Sequence, residues 1–295
     1  MKRARIETEL PLPLLPSLPG WLKSGAAETL ETAAFQCGAA LAHLTVVTKT
    51  AALPQQLWRD RLALEAALVC IGFAGRRESA VALRDALHLT RPGDHLGPAG
   101  QVLWQWSQAV ARPVSVAGLA KVLDGVAVER IACCLDAVGT TPVDRAAGAI
   151  EAVLTESPRA ETAALILADA VLSKALGQDH IVPLLSLALK TRDMARSGDD
   201  LRLACYRSVM AGTRQAIPLA ADLARRAARL QAVIPKLRAK GAARAVDLFL
   251  SRDALTPGAL TFMSDRAARR LCERLVDLSV LRELTGRDTF RLYGV

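Results

Sequence analysis

Aromatic side chains are scarce in this chain, 4% of its residues, and histidines number only four. With an apolar fraction of 52% drawn mainly from Ala and Leu, that scarcity excludes the Val-, Ile-, Thr- and aromatic-rich alphabet of a β sandwich. It is an alphabet of helix formers, too apolar for a globally disordered chain. His43, His88, His95 and His180 are dispersed, with no HxxxH, HExxH or paired Cys/His spacing, so no metal site is expected. The six cysteines, Cys37, Cys70, Cys133, Cys134, Cys205 and Cys272, form no CxxC pair and read as reduced thiols, with Cys133 and Cys134 as core fillers. Strings of the GxxxxGK[ST], GxGxxG and GxSxG types are missing. Asp94-His95 and Asp179-His180 could orient an imidazole but sit in loops, and Asp60 and Glu65 beside Arg59 and Arg61 read as helix-surface pairs. The expectation is a protein that is not an enzyme and carries no cofactor.

Long apolar runs are also missing. The stretches 62–75 and 163–176 are broken by Glu65 and by Asp169 and Lys174, whereas a spanning helix needs ~20 nearly uninterrupted apolar residues. At the N-terminus, Lys2, Arg3 and Arg5 are followed by Glu7, Glu9 and then Pro11, Pro13, Pro16 and Pro19, which suits an extended arm rather than a signal peptide. No membrane contact and a cytoplasmic location are expected.

What is present is an uneven charge. Of the net +9, residues 201–295 hold 18 Lys and Arg against 8 Asp and Glu, leaving 20 basic and 21 acidic residues for 1–200. Such asymmetry points to a polyanionic partner for one part of the molecule. Arg outnumbers Lys by 30 to 8, and guanidinium forks suit phosphates and guanine edges.

The 295 residues suffice for about two domains at ~100–200 each. Apolar spacing predicts helices at 24–54, 55–73 and 77–89, then a breaker-rich loop from Arg91 to Gly100, then a helix carrying Trp104 and Trp106. Further helices are predicted at 114–123, 128–138, 142–154, 160–176, 181–196, 199–211 and 218–237. In the last, Leu219, Leu223, Ala227, Leu230, Ile234 and Leu237 approach a heptad seam, either packed on the bundle or pairing a homodimer through 218–237. The organisation read is an N-terminal arm at 1–23, a helical domain at 24–200, basic connecting helices at 201–241 and a C-terminal unit at 242–295.

That unit is the most informative. A helix at 242–252, a helical turn near Leu260, and a helix at 265–278 capped by Ser264 precede two β-prone segments around Thr285-Gly286-Arg287-Asp288. At ~100° per residue the capped helix puts Arg266, Arg269, Arg270 and Arg274 on one half and Ala268, Leu271, Cys272 and Leu275 on the other. Helix, short helix, Arg-faced helix and hairpin is the layout of a winged helix-turn-helix, whose recognition helix reads a major groove while flanking elements hold phosphates. The fold class expected is all-α, with a multi-helix N-terminal domain and a small winged helix-turn-helix carrying a β-hairpin wing. Ser264, Arg266, Arg269, Arg270 and Arg274 are the groove candidates. Arg287 and Arg291 are candidates for the wing, and Lys236, Arg238, Lys240 and Arg244 for backbone phosphates. Double-stranded DNA is the expected partner of a regulator or DNA-maintenance accessory. The alternative is a helical scaffold whose basic tail docks a protein.

At the same residues the chain resembles a known family. The string Ser264-Asp265-Arg266-Ala267-Ala268-Arg269-Arg270-Leu271, with Arg282-Glu283-Leu284-Thr285-Gly286-Arg287 and Phe290-Arg291-Leu292-Tyr293-Gly294, is similar to the C-terminal blocks of the bacterial domain of unknown function 1403. Trp58-Arg59-Asp60-Arg61, Arg91-Pro92-Gly93-Asp94 and Lys236-Leu237-Arg238-Ala239-Lys240-Gly241 are similar to its other blocks. The resemblance covers most of the chain and implies no particular activity.

Overall fold

The computed structural model describes residues 15–23, 28–90, 93–287 and 289–295. The helix-forming alphabet is realised as thirteen α-helices among them. In order these are α1 (Gly20–Lys23), α2 (Leu30–Thr48), α3 (Gln55–Phe73), α4 (Ala80–His88), α5 (Gly97–Ala111), α6 (Val116–Ala120), α7 (Val128–Asp136), α8 (Pro142–Glu156), α9 (Glu161–Ala175), α10 (Thr191–Met194), α11 (Gly198–Ala232), α12 (Ala242–Phe249) and α13 (Asp265–Asp277). The strands β1 (Arg282–Glu283) and β2 (Tyr293–Gly294) pair antiparallel, Glu283 opposite Tyr293. The mainly α expectation holds. Most of the predicted N-terminal arm, Ser24, Arg91, Pro92 and Asp288 lie outside the described residues.

Helix α9 is buried on every side from Ala163 to Ser173, as a helix apolar all round must be. α3, α5, α7 and α8 pack around it, while α2 lies along α11. Length and composition alone would let α2 cross a membrane. Here its Ala33, Cys37, Ala40, Leu41, Leu44 and Val47 are buried, leaving Phe35 and Val46 exposed on the opposite side.

One ionisable group stands in the buried run of α9 and reshapes its neighbour. Asp169 accepts the amides of Leu184 (3.1 Å), Leu185 (2.9 Å) and Ser186 (3.2 Å) and the Ser186 hydroxyl (2.7 Å), while Ser173 Oγ accepts from Val182 N (3.0 Å). The helix expected at 181–196 is therefore not formed. Its amides are drawn to side chains of α9, and only a 3-10 turn (Leu185–Leu187) and the one-turn α10 remain. Helix α11 reaches the same segment through Gly212, where a Cβ would stand 2.3 Å from the Leu184 carbonyl oxygen.

Two further expectations are corrected. The loop from Arg91 to Gly100 is helical from Gly97 on, with Pro98 in the first turn, where its missing N–H costs nothing. The helices predicted at 199–211 and 218–237 are one helix that continues through Pro218 and ends at Ala232, followed by a 3-10 turn (Ile234–Lys236). Next to Pro218, the carbonyl of Ala216 receives the indole N–H of the fully buried Trp58 at 3.0 Å, which ties α3 to α11. Leu223, Ala227 and Leu230 of the expected seam are buried in the chain's own core, and α11 runs across the 200/201 boundary.

Candidate nucleic-acid interface

Within residues 242–295, Phe249, Leu260, Leu271, Leu275, Leu281 and Leu292 are buried, the first five as part of the chain's core cluster. The link from α12 to α13 is extended at Leu255, which exchanges both backbone hydrogen bonds with Tyr293 (2.9 Å each). Tyr293 of β2 thus pairs with Glu283 of β1 on one side and forms a single isolated bridge with Leu255 on the other. The helical turn expected near Leu260 is a single 3-10 turn (Pro257–Ala259). Between β1 and β2, Glu283 accepts the amides of Thr285 (2.8 Å) and Gly286 (2.9 Å), and Gly286 takes the φ of 64° that favours glycine.

Ser264 caps α13, its hydroxyl accepting from Ala267 N at 3.4 Å, and Asp265 in the first turn suits the helix dipole. The helix is two-faced as the sequence predicts. Ala268, Leu271, Cys272 and Leu275 are buried, and Arg266, Arg269, Arg270 and Arg274 are exposed. Arg269 pairs with Asp265 at 3.0 Å, an exposed contact of small worth. Arg266, Arg270 and Arg274 have no hydrogen-bond or ion-pair partner among the described residues.

The structure brings one group of phosphate candidates to this helix. The Arg244 guanidinium stacks 4.5 Å above the Phe262 ring, just ahead of Ser264, and a Cβ at Gly241 would stand 3.0 Å from Phe262 and 3.5 Å from Met263. Lys240 and Arg244 therefore flank the N-terminal end of α13. Lys236 and Arg238 are exposed on the preceding link. The two hairpin arginines are engaged otherwise. Arg287 forms an ion pair with Asp85 on α4, and Arg291 Nε donates to the Arg287 carbonyl at 2.8 Å.

Sequence reasoning missed what joins this unit to the helical body. Asp253, between α12 and Leu255, receives Arg84 through two bonds (2.6 and 3.1 Å) and lies 2.6 Å from Arg61 Nε. Arg61 Nη2 also donates to the Val295 carbonyl at 3.0 Å. The polar stretch of α3 is thus not a set of surface pairs. Arg59 bonds Gln56 and the Val110 carbonyl, and burial pushes the Asp60 carboxyl up to about 6 despite a 2.7 Å bond from Gln56. His88, packed near the same contact, is held below the usual imidazole range by burial. Among the described residues no group of three His, Cys, Asp or Glu side chains could hold a metal ion.

The family model described as "Protein of unknown function (DUF1403)" matches residues 8–295, and the chain belongs to that family. Among curated proteins none matches. The matched residues take in both halves of the Asp253 contact, which gives the polar stretch of α3 a structural role in joining the two ends of the chain.

Proposed function

We propose that this protein binds double-stranded DNA through residues 242–295 acting as a winged helix-turn-helix, in the role of a transcriptional regulator or DNA-maintenance accessory. In this reading α12 is the first helix, the 3-10 turn replaces the second, α13 is the recognition helix and the β1–β2 hairpin is the wing. In the same reading the Leu255–Tyr293 bridge takes the place of the short strand that such a unit carries between its first and second helices. The observation that carries the reading is the outer face of α13, where three arginines without a partner among the described residues stand exposed beside Arg244 and Lys240. Duplex is favoured over single strands because stacking platforms need several aromatic faces, and here Phe290 is exposed while Tyr293 is buried. Asp85 already holds Arg287, so the wing contributes less cationic charge than the helix.

Equilibrium binding to duplexes at several salt concentrations tests this. Neutralising Z phosphates gives a slope of about −0.9Z in log K against log salt. Arg266→Ala and Arg270→Ala are expected to lower preference for a specific site, since each base contact is worth ~1–3 kcal/mol. Lys236→Ala and Lys240→Ala are expected to weaken all duplexes alike and flatten the slope. Wild-type protein without salt-dependent duplex binding would refute the proposal and leave the arginine face as a protein-docking surface.

A further inference from the structure

A second basic site lies beyond the other end of α13, where the last turns of α11 meet β1. There Arg225, Arg226 and Arg229 from α11, Arg282 from β1, Ser279 and Asp222 line a cavity of about 210 Å³. We propose that this cavity holds the terminal phosphate, a dianion, of a small phosphorylated ligand.

The charge argument is local. Asp222 engages Arg226 at 2.7 Å and Arg225 at 3.3 Å, which leaves Arg229 and Arg282 with no ion-pair or hydrogen-bond partner among the described residues. A helix C-terminus carries about half a negative charge, so one arginine there would suffice to balance α11. Four guanidiniums against Asp222 and the C-terminal ends of α11 and α13 leave a surplus of about two positive charges, or about one with a carboxylate counted at Val295, which also lines the cavity. A terminal phosphate, with one or two negative charges according to its protonation, spans that range, whereas a monocarboxylate or an internal phosphodiester is limited to a single charge. Guanidinium forks bond phosphate oxygens in pairs, and these arginines converge from two elements nearly sixty residues apart in sequence.

Size narrows the ligand further. At ~30 Å³ per water the cavity holds about seven waters, below the ~300 Å³ at which sites for drug-sized molecules begin. The cavity is open to solvent, so it encloses a phosphate and a few attached atoms while the rest of a ligand extends outward. The Ser279 backbone, at φ 58°, turns the chain here and places its residue on the rim.

The site is independent of the proposed DNA surface, and the experiment separates the two. Full-length protein is titrated calorimetrically with inorganic phosphate and with dimethyl phosphate at about pH 8, where inorganic phosphate is mainly the dianion, at constant ionic strength in chloride. Saturable one-site binding of inorganic phosphate, with none of the diester, is expected. The Arg229→Gln/Arg282→Gln variant should lose about tenfold or more in phosphate affinity, as charged hydrogen bonds of ~1.5–3 kcal/mol are removed, and should melt at the wild-type temperature in chloride. Arg266→Ala/Arg270→Ala should keep phosphate binding whether or not it binds duplex. No saturable phosphate binding, or binding that the Arg229/Arg282 variant retains, would overturn the proposal. So would equal binding of the diester, or loss of duplex affinity in that variant, either of which would assign the cavity to a nucleic-acid backbone.

Discussion

Replacing Asp253 by Ala removes the one carboxylate that both Arg61 and Arg84 address across the joint between the helical body and the C-terminal unit. Their side chains are 18% and 9% exposed and that of Asp253 is 12%, so water cannot take over the lost contact cheaply. Deleting one partner of a buried ionic contact costs about 3–5 kcal/mol, because the remaining charge stays buried without compensation. Spread over 295 residues at ~2.1 cal/mol/K each, the unfolding entropy near the midpoint is about 0.6 kcal/mol/K. The expected fall in Tm is therefore about 5–8 °C. Hydrogen exchange gives the second readout. The Leu255 and Tyr293 amides, which bond each other's carbonyls, should lose protection ahead of α9, because the C-terminal unit is released first. A Tm change under about 2 °C, with those amides still protected, would refute the view that this contact fastens the two parts.

Two more outcomes follow from single positions. Gly212→Ala ought to gain up to about 1 kcal/mol in helix propensity. Instead it is expected to lose about 3 kcal/mol or more by urea unfolding, because the added carbon would stand 2.3 Å from a backbone oxygen held by the Asp169 contacts. Gly148→Ala in α8, whose Cβ would meet nothing within 4 Å, serves as the control and should be neutral or stabilising. Asp60 should confer an unusual pH dependence, because its folded pKa of about 6 lies above the ordinary 3.8. The sign is that of a raised acid: its contribution is fullest below about pH 4 and is lost as pH rises through about 6. Asp60→Asn should accordingly raise Tm more at pH 7 than at pH 4, and an equal shift at both would contradict the assignment.

The helical class, the cap at Ser264 and the two-faced character of α13 were determined by the sequence alone. Each depends on residues within a turn or two of one another, and local spacing encodes local geometry. The observed bounds of α3, Gln55–Phe73, match the predicted 55–73, and among the described residues no distant side chain bonds to its backbone. The expected helix at 181–196 failed for the opposite reason. Asp169 and Ser173, about fifteen residues away or less, offered its amides better-placed acceptors than its own carbonyls, and periodicity cannot register such competition. Pro218 misled similarly, since packing held α11 together across the lost N–H. The charge excess after residue 200 was legible, but its division was not. Tertiary structure alone decided that Arg266, Arg270 and Arg274 stand open and that Arg287 is spent on Asp85. It likewise decided that Arg229 and Arg282 share a cavity and that Arg61 and Arg84 are buried against Asp253. An arginine's partner is set by which elements meet in space, and nothing in its neighbours along the chain specifies that meeting.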